Sequence, residues 1–394
     1  MPGNPVSTAA SSGRRSDPLG AAALLAGTWL AASQAHADSG WQFDAVYTGE
    51  VLSNVSGGIR TGTRYLDNLD LMLEVDLAEA WGFGDGTLFV YGLYNNGGTF
   101  TGELVGDLMA VSNIDAPHAF RLYEFWYELD GEDWSVRAGL YDLNSEFDVN
   151  ETGSLFIHSS HGIGAGIAQT GQNGPGIFPV SALALRAQLG GDGLTARVAV
   201  LDGVPGDPDD PSSNEIRLSG DEGALLFAEV ELPLAGSGRL WSGAWRYTAE
   251  FERLAGGEPD NDNGGWYVGI ESGIPLGDAR AAAFLRYGRV NGAINPFRGY
   301  FGSGLVLERL PGLRSDDRVG IGVASGDISE DYRGLVRRRD GSAPARETTW
   351  ELTFRRQVND RFAIQPDLQY VKNPAEAGHL DDAWIVGLRF ELTW

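Results

Sequence analysis

The chain has 394 residues, a formal net charge of −25 and no cysteine, which excludes a disulfide framework, a thiolate metal site and a cysteine nucleophile. Nucleic acid is an unsuitable partner, because its phosphates require a basic surface and 54 acidic residues outnumber 29 basic ones here. Glycine is the unusual residue of the composition, with 56 copies against the roughly 7% typical of globular chains.

The N-terminus has the organisation of a signal peptide. Arg14 and Arg15 precede the small, apolar run 19–33, and Ala35-His36-Ala37 matches a small-x-small cleavage pattern. We therefore expect residues 1–37 to be removed and the mature chain to start at Asp38. An N-terminal membrane anchor is the alternative, but the run is shorter than the ~20 residues of a spanning helix.

From residue 38 onward, segment after segment alternates apolar with polar side chains, which is the period-two pattern of a β-strand with two different faces. The alternating segments are 41–51, 65–77, 134–140, 241–251, 348–358, 361–371 and 383–394. Further strands are predicted to start near Thr87, Phe120, Ser181, Leu194, Ala224, Gly265, Ala279, Phe301 and Arg318. The total is about sixteen strands, each close to the ~10 residues of a tilted membrane strand.

Two all-β architectures suit this pattern, a soluble sheet protein and a transmembrane antiparallel β-barrel. In a soluble sheet the apolar face is the core, whereas in a barrel it faces lipid and the polar face lines a wet lumen. Short and long connections alternate along the chain, and the last strand runs to the final residue. Aromatic residues also lie at strand ends, as in a membrane girdle: Trp41, Trp134, Tyr141, Trp241, Trp266, Trp350, Trp384 and Trp394. We therefore predict a barrel with a single domain over residues 38–394, wide enough for an aqueous channel.

Three local motifs suggest a hydrolase, a dinucleotide site and a calcium site. For each of them, an interpretation without catalysis or a ligand is preferred. The segment "HSSHG" (158–162) places two serines beside His158 and His161, but adjacent residues of an extended chain point apart and no orienting acid is evident. The run "GIGAGIAQTG" (162–171) lacks the strand and helix of a dinucleotide site, so no cofactor is predicted. Asp260, Asp262 and Glu271 match part of a calcium loop, but glycine replaces a ligand and Glu271 lies in a predicted strand. An acidic loop without metal is therefore the preferred interpretation.

Several segments together resemble the carbohydrate-selective porin family of the OprB type. They are "AWGFGDGTLFVYG" (80–92), "YNNGGTFTGELVGDLMAVSNIDAPHAFRLYEFWYE" (94–128), "WSVRAGLYDLNSEFD" (134–148) and "LQYVKNPAEAGHLDDAWIVGLRFELTW" (368–394). Each motif alone is a weak indication of the family, and their order and spacing together are a more specific one. Residues 149–350 resemble the family only loosely. The terminal residue is Trp394 where the family more often has Phe.

The resemblance implies a sixteen-stranded outer-membrane porin of a Gram-negative bacterium for passive diffusion of sugars, and not an enzyme. Alternation assigns to the lumen a set of charges of both signs, which suits neutral polyols as well as ions. This set is Glu124, Arg137, Arg186, Arg197, Glu229, Glu231, Arg246, Glu250, Glu271, Arg280, Arg286, Glu351, Arg355, Asp367, Arg389 and Glu391. Arg121 and Asp142 are assigned to the pore as well.

A long segment, 142–176, follows an early strand, and in porins such a loop commonly folds inward and narrows the pore. The candidates for a constriction are Phe147, Asp148, Glu151, Phe156, His158 and His161. An extracellular loop packed on the rim is the alternative. The middle loops, which help to shape such a pore, carry no recognisable motif.

Two other functions remain open at this stage. The net acidity favours a general or cation-preferring porin, since negative potential concentrates cations. An outer-membrane enzyme or adhesin without an open pore is the third hypothesis. The expected partners are sugars in transit, outer-membrane lipid with lipopolysaccharide, and the barrel-assembly machinery, which the resemblance implies reads the terminal Trp394. The sequence leaves monomer and homotrimer open.

Overall fold

A computed structural model describes residues 40–394 except 83, 192, 211, 212, 214, 215, 217, 218, 235 and 278, so the predicted signal peptide lies outside the described residues. Sixteen antiparallel strands form a closed barrel, in which each strand pairs with its neighbours in sequence and β1 pairs with β16. The strands are β1 Trp41–Gly58, β2 Gly62–Asp76, β3 Thr87–Asn95, β4 Ala119–Asp130, β5 Trp134–Tyr141, β6 Ala182–Leu189, β7 Thr195–Asp202, β8 Ala224–Leu234, β9 Gly238–Tyr247, β10 Gly264–Leu276, β11 Ala279–Val290, β12 Phe297–Glu308, β13 Arg318–Ile328, β14 Arg346–Asn359, β15 Phe362–Lys372 and β16 Asp381–Thr393. The predicted strand count is confirmed.

Helices are short and lie in the connections. They are α1 Leu77–Trp81, α2 Ser159–Gly162, α3 Ala165–Ala168 and α4 Glu330–Asp340, with 3₁₀ turns at Leu143–Ser145 and Thr152–Leu155 and a π turn at Thr101–Val105. None of the helices in the described part of the chain is long and apolar enough to span a membrane.

The alternating pattern produces a wall whose outer face is apolar and whose inner face carries the buried charged and polar side chains together with a cluster of aromatic residues. On β16, Trp384, Val386 and Leu388 are 43%, 47% and 50% exposed, whereas Ile385 between them is fully buried. The polar residues of the other face lie inside the barrel, where Glu50 and Glu351 are almost completely buried. This is the inverse of a soluble sandwich, and it matches a wall with lipid outside and polar groups inside.

The barrel closes through the two terminal strands. The β1–β16 ladder runs from Val46 opposite Thr393 to Gly58 opposite Asp381. The N–H of Trp394 donates to the carbonyl of Ala45 at 2.9 Å, so the last residue takes part in closure. Closure leaves no unpaired strand edge, which in lipid would cost several kcal/mol for each unsatisfied backbone group.

Short and long connections lie at opposite ends of the barrel. The end where β1 begins has the short turns 131–133, 190–194, 235–237, 277–278 and 360–361, which is the arrangement expected on the periplasmic side. The other end has the long connections 96–118, 142–181, 203–223, 248–263 and 329–345. Four connections depart from this rule: 59–61 and 291–296 are short links at the long-loop end, and 77–86 and 309–317 are longer connections at the other end. The predicted rough alternation is thus confirmed, and the long-loop end is the one expected to be extracellular.

The predicted aromatic girdle is confirmed at six of its eight positions. Trp41, Trp134, Trp266, Trp350, Trp384 and Trp394 are all exposed on the outer surface. Tyr141 and Trp241 were assigned wrongly, because both are 1% exposed and belong to the hydrophobic cluster inside the barrel. On β9 the aromatic face points inward, so the strand has the predicted period but the opposite phase.

Candidate functional site

An ion-pair network covers the inner wall of β4–β6. Arg137 donates from Nε to Glu128 at 2.8 Å, and Arg186 donates from Nε to Glu146 at 2.7 Å. The guanidinium of Arg137 also lies 3.7 Å from the ring centroid of Trp126, in cation–π geometry. Because Glu146 lies just after β5, the network ties the start of loop 142–181 to the wall.

The carboxyl of Glu146 is held ionised by this network. Burial opposes its charge, but the guanidiniums of Arg137 and Arg186 outweigh burial and lower the pKa of Glu146 to about 2. Two opposite charges within hydrogen-bonding distance favour the charged form in this way. The start of the loop is therefore fixed electrostatically at neutral pH.

Loop 142–181 is bound to inward-facing side chains along most of the wall, including those of β8, β10, β11, β14 and β15. Arg286 of β11 donates to Asp148 at 3.2 Å and to the carbonyl of Gly162 at 3.0 Å. Backbone amides of the loop donate to carboxylates of the wall: Asp148 to Glu229 at 2.9 Å, Thr152 to Glu271 at 2.8 Å and Ile157 to Glu351 at 2.6 Å. Gln365 of β15 donates to the carbonyl of Leu155 at 2.7 Å. The loop therefore contacts the lumen side of the wall from β8 to β15.

Glycines on β12 and β13 provide the surface on which this loop packs. A Cβ placed on Gly320 would lie 2.9 Å from the rings or methyls of Phe156 and Leu155, and one on Gly322 would lie 2.8 Å from His161 Nε2. Real Cβ atoms do not approach other atoms so closely, so only glycine admits Phe156 and His161 here. Part of the unusual glycine content is thus explained by close loop packing inside the barrel.

The "HSSHG" motif forms α2 and is buried in this packing. The hydroxyls of Ser159 and Ser160 donate to the carbonyls of Ser112 and Met109, so neither is directed at a histidine. Burial lowers the pKa of His158 to about 3 and that of His161 well below its ordinary value. His161 is therefore neutral, and its 3.9 Å contact with Glu351 is not an ion pair. The arrangement is structural packing and not a hydrolase triad.

A second connection, 96–118, also reaches the lumen side of the wall, which the sequence did not reveal. The amides of Leu108 and Met109 donate to Glu347 at 3.0 Å, and Gln369 donates to the carbonyl of Val111 at 2.9 Å. Ser112 donates to Glu50 of β1. Glu50 and Glu347 are buried carboxylates at inward positions, and acidic residues at buried strand positions were the available signal.

Between these two loops and the wall of β13–β16, β1 and β2, an opening remains. We call it the lumen opening; it is a narrow space with room of about 50 Å³ for water-sized groups, or about 700 Å³ when the adjoining solvent is included. Its lining is mostly polar and carries both charge signs. The lining residues are Val46, Thr48, Asn68, Asp70, Met72, Asn113, Ile114, Ser154, Leu155, Arg318, Arg355, Gln365, Arg389 and Glu391.

Three charged side chains of the lumen opening are held by specific contacts. Arg355 donates to Glu391 at 2.6 Å and to Gln357 at 2.9 Å. Arg389 donates to Glu50 at 2.8 Å and to Asn113 at 2.7 Å, which links the wall to connection 96–118. The guanidiniums are thereby positioned as fixed donors at the edge of the opening.

The predicted pore residues divide into groups in the structure. Arg355, Arg389 and Glu391 line the lumen opening. Residues that contact loop 142–181, or belong to it and are buried, are Phe147, Asp148, Phe156, His158, His161, Glu229, Glu271, Arg286 and Glu351. Residues inside the barrel wall or at its rim are Arg121, Glu124, Arg137, Asp142, Arg186, Arg197, Glu231 and Asp367. Glu151 is exposed within the loop. Their roles in a pore stay predictions.

Two of the predicted lumen residues were assigned wrongly. Arg246 lies on the outer face of β9, where its side chain is 58% exposed and donates to the carbonyl of Asn261. Glu250 is exposed in the connection 248–263. Arg246 was misassigned because a period of two fixes which residues share a face but not which face points inward, and β9 carries its aromatic face inward. Glu250 was misassigned because β9 ends at Tyr247.

The three residues of the candidate calcium loop lie in two different places. Asp260 and Asp262 lie in connection 248–263, whereas Glu271 lies on the lumen side of β10 and accepts from Arg239 at 2.5 Å. Among the residues that the structure describes, no group of three or more histidine, aspartate or glutamate side chains is arranged to hold a metal ion.

Comparison with known proteins gives consistent findings. A family model described as carbohydrate-selective porin, OprB family, matches residues 60–394. Porin B of Pseudomonas aeruginosa is 24% identical over 419 residues, covering 93% of this chain and 90% of that protein. The high-pH structure of Pseudomonas putida OprB superimposes with a TM-score of 0.79 at 20% identity, covering 90% and 94% of the two chains. The low-pH structure of the same protein gives 0.58 at 16% identity, covering 90% and 93%.

Proposed function

This chain belongs to the OprB family of carbohydrate-selective porins, so it is an outer-membrane channel for sugars and not an enzyme, and we propose that sugars cross it through the lumen opening. The observation that carries this proposal is the lining of that opening, which joins fixed guanidinium donors with carboxylate and amide acceptors. Arg318, Arg355 and Arg389 supply planar forks of N–H groups, and Asp70 and Glu391 supply acceptors.

The lining suits a sugar for a physical reason. A hydroxyl both donates and accepts, so a molecule rich in hydroxyls can exchange one partner for the next along a wall that presents both kinds of group. Met72, Ile114 and Leu155 add apolar surface against which the C–H faces of a sugar ring can pack. Binding at any one point has to stay weak, since a tight site would block flux.

We propose that connections 96–118 and 142–181 narrow the channel. The support is their bonding to inward-facing side chains, such as Glu347 for the first and Arg286 for the second. Both loops displace solvent from the part of the lumen that they contact. The lumen opening lies beside them, against the wall of β13–β16, β1 and β2.

Planar-bilayer recording tests the proposed function. We expect a small ion current through the purified porin that decreases as mono- or oligosaccharides are added, with half-block at millimolar sugar or above because binding is weak. Liposome swelling with a panel of sugars then ranks them by size and stereochemistry. A steady current that no sugar alters would contradict sugar passage through this opening.

A cation-preferring porin without sugar selectivity is the second candidate, motivated by the net charge of −25. The described lining of the lumen opening, however, contains three arginines and two acids, so the acidity of the chain is not repeated there. Reversal potentials in a salt gradient decide between the candidates. Strong cation selectivity together with insensitivity to sugar would favour the second.

We also propose how the chain reaches and enters the outer membrane. Removal of residues 1–37 after export would leave a chain that begins three residues before β1. Trp394, whose N–H closes the barrel on Ala45, is proposed as the terminal aromatic read by the assembly machinery. Trp394→Asp is expected to lower the amount of porin assembled in the outer membrane, and unchanged assembly would argue against this role. We also propose contacts with lipopolysaccharide and assembly as a homotrimer.

A further inference from the structure

Charged side chains of the lumen opening already have hydrogen-bond partners within the protein. Arg355 donates to Glu391 at 2.6 Å. Arg389 donates to Glu50 at 2.8 Å. The carboxylate of Asp70 accepts from two neighbouring side chains, at 2.5 and 2.7 Å. A sugar hydroxyl that bonds at one of these groups therefore competes with a charge-assisted hydrogen bond, which is the stronger kind.

Asn113, on connection 96–118, differs because one arm of its side-chain amide is unused. Its Oδ1 accepts from Arg389 at 2.7 Å. A guanidinium only donates, so this contact fixes which arm is the oxygen and leaves Nδ2 as the other arm. Among the residues that the structure describes, Nδ2 bonds to no acceptor and is not enclosed by protein. Because Asn113 lines the lumen opening, a fixed N–H donor is available there.

Gln365, on β15, provides the complementary group. Its Nε2 donates to the carbonyl of Leu155 at 2.7 Å and to the hydroxyl of Thr353 at 2.9 Å. A carbonyl only accepts, so the nitrogen faces the loop and Oε1 is the other arm. In the described part of the chain no donor bonds to Oε1, and this atom too is not enclosed. Gln365 lines the lumen opening as well and thus supplies a fixed acceptor.

Arg389 brings the two amides to the same part of the wall. It is the ladder partner of Gln365 between β15 and β16, and side chains in such positions have Cβ atoms about 5 Å apart. The same arginine holds Asn113. The backbone N–H of Asn113 also donates to the carbonyl of Ile157 at 2.9 Å, which ties the two loops together at this point. A donor and an acceptor are therefore both held in place beside Arg389.

We propose that the unused arms of Asn113 and Gln365 bind sugar hydroxyls in the lumen opening and make these two residues specificity-determining. The proposal rests on the proposed passage of sugars through this opening. Nδ2 of Asn113 donates to one hydroxyl and Oε1 of Gln365 accepts from another, and neither bond displaces a contact within the protein. A hydroxyl satisfies either group, whereas an ether oxygen only accepts and leaves Gln365 unsatisfied. The pair therefore discriminates between sugars of equal size by which ring positions carry a free hydroxyl.

The test removes one arm of each amide and keeps the other. Asn113→Asp keeps the oxygen that holds Arg389 and loses the N–H donor, whereas Gln365→Lys keeps a donor for the carbonyl of Leu155 and loses the acceptor. Ser154→Asp and Ser154→Lys are the charge-matched controls, because Ser154 lines the same opening and both amides stay intact. Block of the ion current is measured in planar bilayers with glucose, galactose, mannose and the mono-deoxy analogues of each.

We expect Asn113→Asp and Gln365→Lys each to raise the sugar concentration for half-block about 3- to 10-fold, which is the effect of one lost hydrogen bond. The Ser154 controls should leave it unchanged. One mono-deoxy analogue should lose as much in the unaltered porin as its parent sugar loses in Asn113→Asp. In that variant the analogue and the parent sugar should block equally, because both changes remove the same bond.

Three results would overturn the proposal: an unaltered half-block in both amide variants, an equal rise in the Ser154 controls, or losses of variant and analogue that simply add. Equal block of the unaltered porin by every mono-deoxy analogue would overturn it too, and this measurement does not depend on the assembly of any variant. Failure of the proposed function gives a different result, a current through the unaltered porin that no sugar changes. Sugar block that persists undiminished in both amide variants refutes this inference alone.

Discussion

Two regions of the lumen are made by the same alternating strands and differ in what covers their charges. Against loop 142–181, the side chains of Arg286 and Asp148 are each 1% exposed, and their hydrogen bonds go to one another and to loop backbone. In the lumen opening, Arg355 and Glu391 form a pair of similar chemistry whose side chains remain 9% and 19% exposed. The first pair is an anchor for the loop, and the second can still exchange partners with a passing molecule.

This difference shows that an inward-facing charge is not by itself a pore residue. Glu229, Glu271 and Glu351 face the lumen but accept backbone N–H groups of the loop. A buried carboxylate that satisfies backbone donors contributes to structure, and its removal leaves those donors unsatisfied. Changes in the two regions should therefore alter different measurable properties.

The largest effect is expected from Arg286→Met, which leaves Asp148 as an unpaired buried charge and frees the loop carbonyls at Gly162. We expect the free energy of unfolding to fall by about 3–5 kcal/mol and the single-channel conductance to rise as the loop loosens. Denaturant unfolding in detergent and bilayer recording measure the two quantities. Arg253→Met, in the exposed connection 248–263, is the control; if it has the same effect, the anchor role is wrong.

The second effect is a pH dependence of stability that arises from Glu146 at the start of loop 142–181. The carboxyl of Glu146 has a pKa lowered from 4.5 to about 2, so it stabilises the fold above pH 4.5 and this stability is lost as the pH falls towards 2. The expected loss is roughly 3 kcal/mol, seen as a lower midpoint of denaturant unfolding at pH 2 than at pH 6.

Glu146→Gln provides the control for this pH dependence. Glutamine keeps the shape of the side chain but has no charge to titrate, so the variant should be less stable at neutral pH and should lose less between pH 6 and pH 2. An unchanged pH profile in this variant would assign the acid sensitivity to other carboxylates.

A smaller effect is expected where the loop packs on glycine. Gly322→Ala would place a methyl group 2.8 Å from His161 Nε2 and 3.0 Å from Phe156, so the loop has to move. Overpacking of this kind costs about 1–3 kcal/mol. Gly102→Ala, whose added methyl group would have no atom within 4 Å, is the matched control. If both variants unfold at the same denaturant concentration, the close packing is not required.

Arg355→Gln in the lumen opening is expected to change stability least. It should, however, alter the passage of sugars. Its loss removes one contact to Glu391, worth about 1 kcal/mol, and one donor for sugar hydroxyls. We expect the sugar concentration for half-block to rise about 3- to 10-fold.

The double variant R355Q/E391Q tests whether this effect comes from the pair. If the two groups act together, its effect on half-block will be less than the sum of the single variants. A half-block concentration unaltered in every variant would exclude this pair from the sugar path.

Much of the fold was accessible from the sequence, because alternation, aromatic strand ends and alternating connection lengths are local properties. The strands predicted near Thr87, Ala224, Ala279 and Arg318 begin at those residues. The faces of β16 were also predicted, since one side is uniformly apolar. The face of β9 was not, because aromatic residues serve equally well against lipid and against a packed loop.

The sequence by itself determined a sixteen-stranded barrel with charges of both signs inside, because a period of two decides which side chains share a face. It also indicated the family, through motifs near both ends of the mature chain. Only the tertiary structure decided which inward charges remain accessible. Loop contacts such as Arg286 with Gly162 and Leu108 with Glu347 join residues more than 100 positions apart, and no local pattern encodes where a long loop comes to rest.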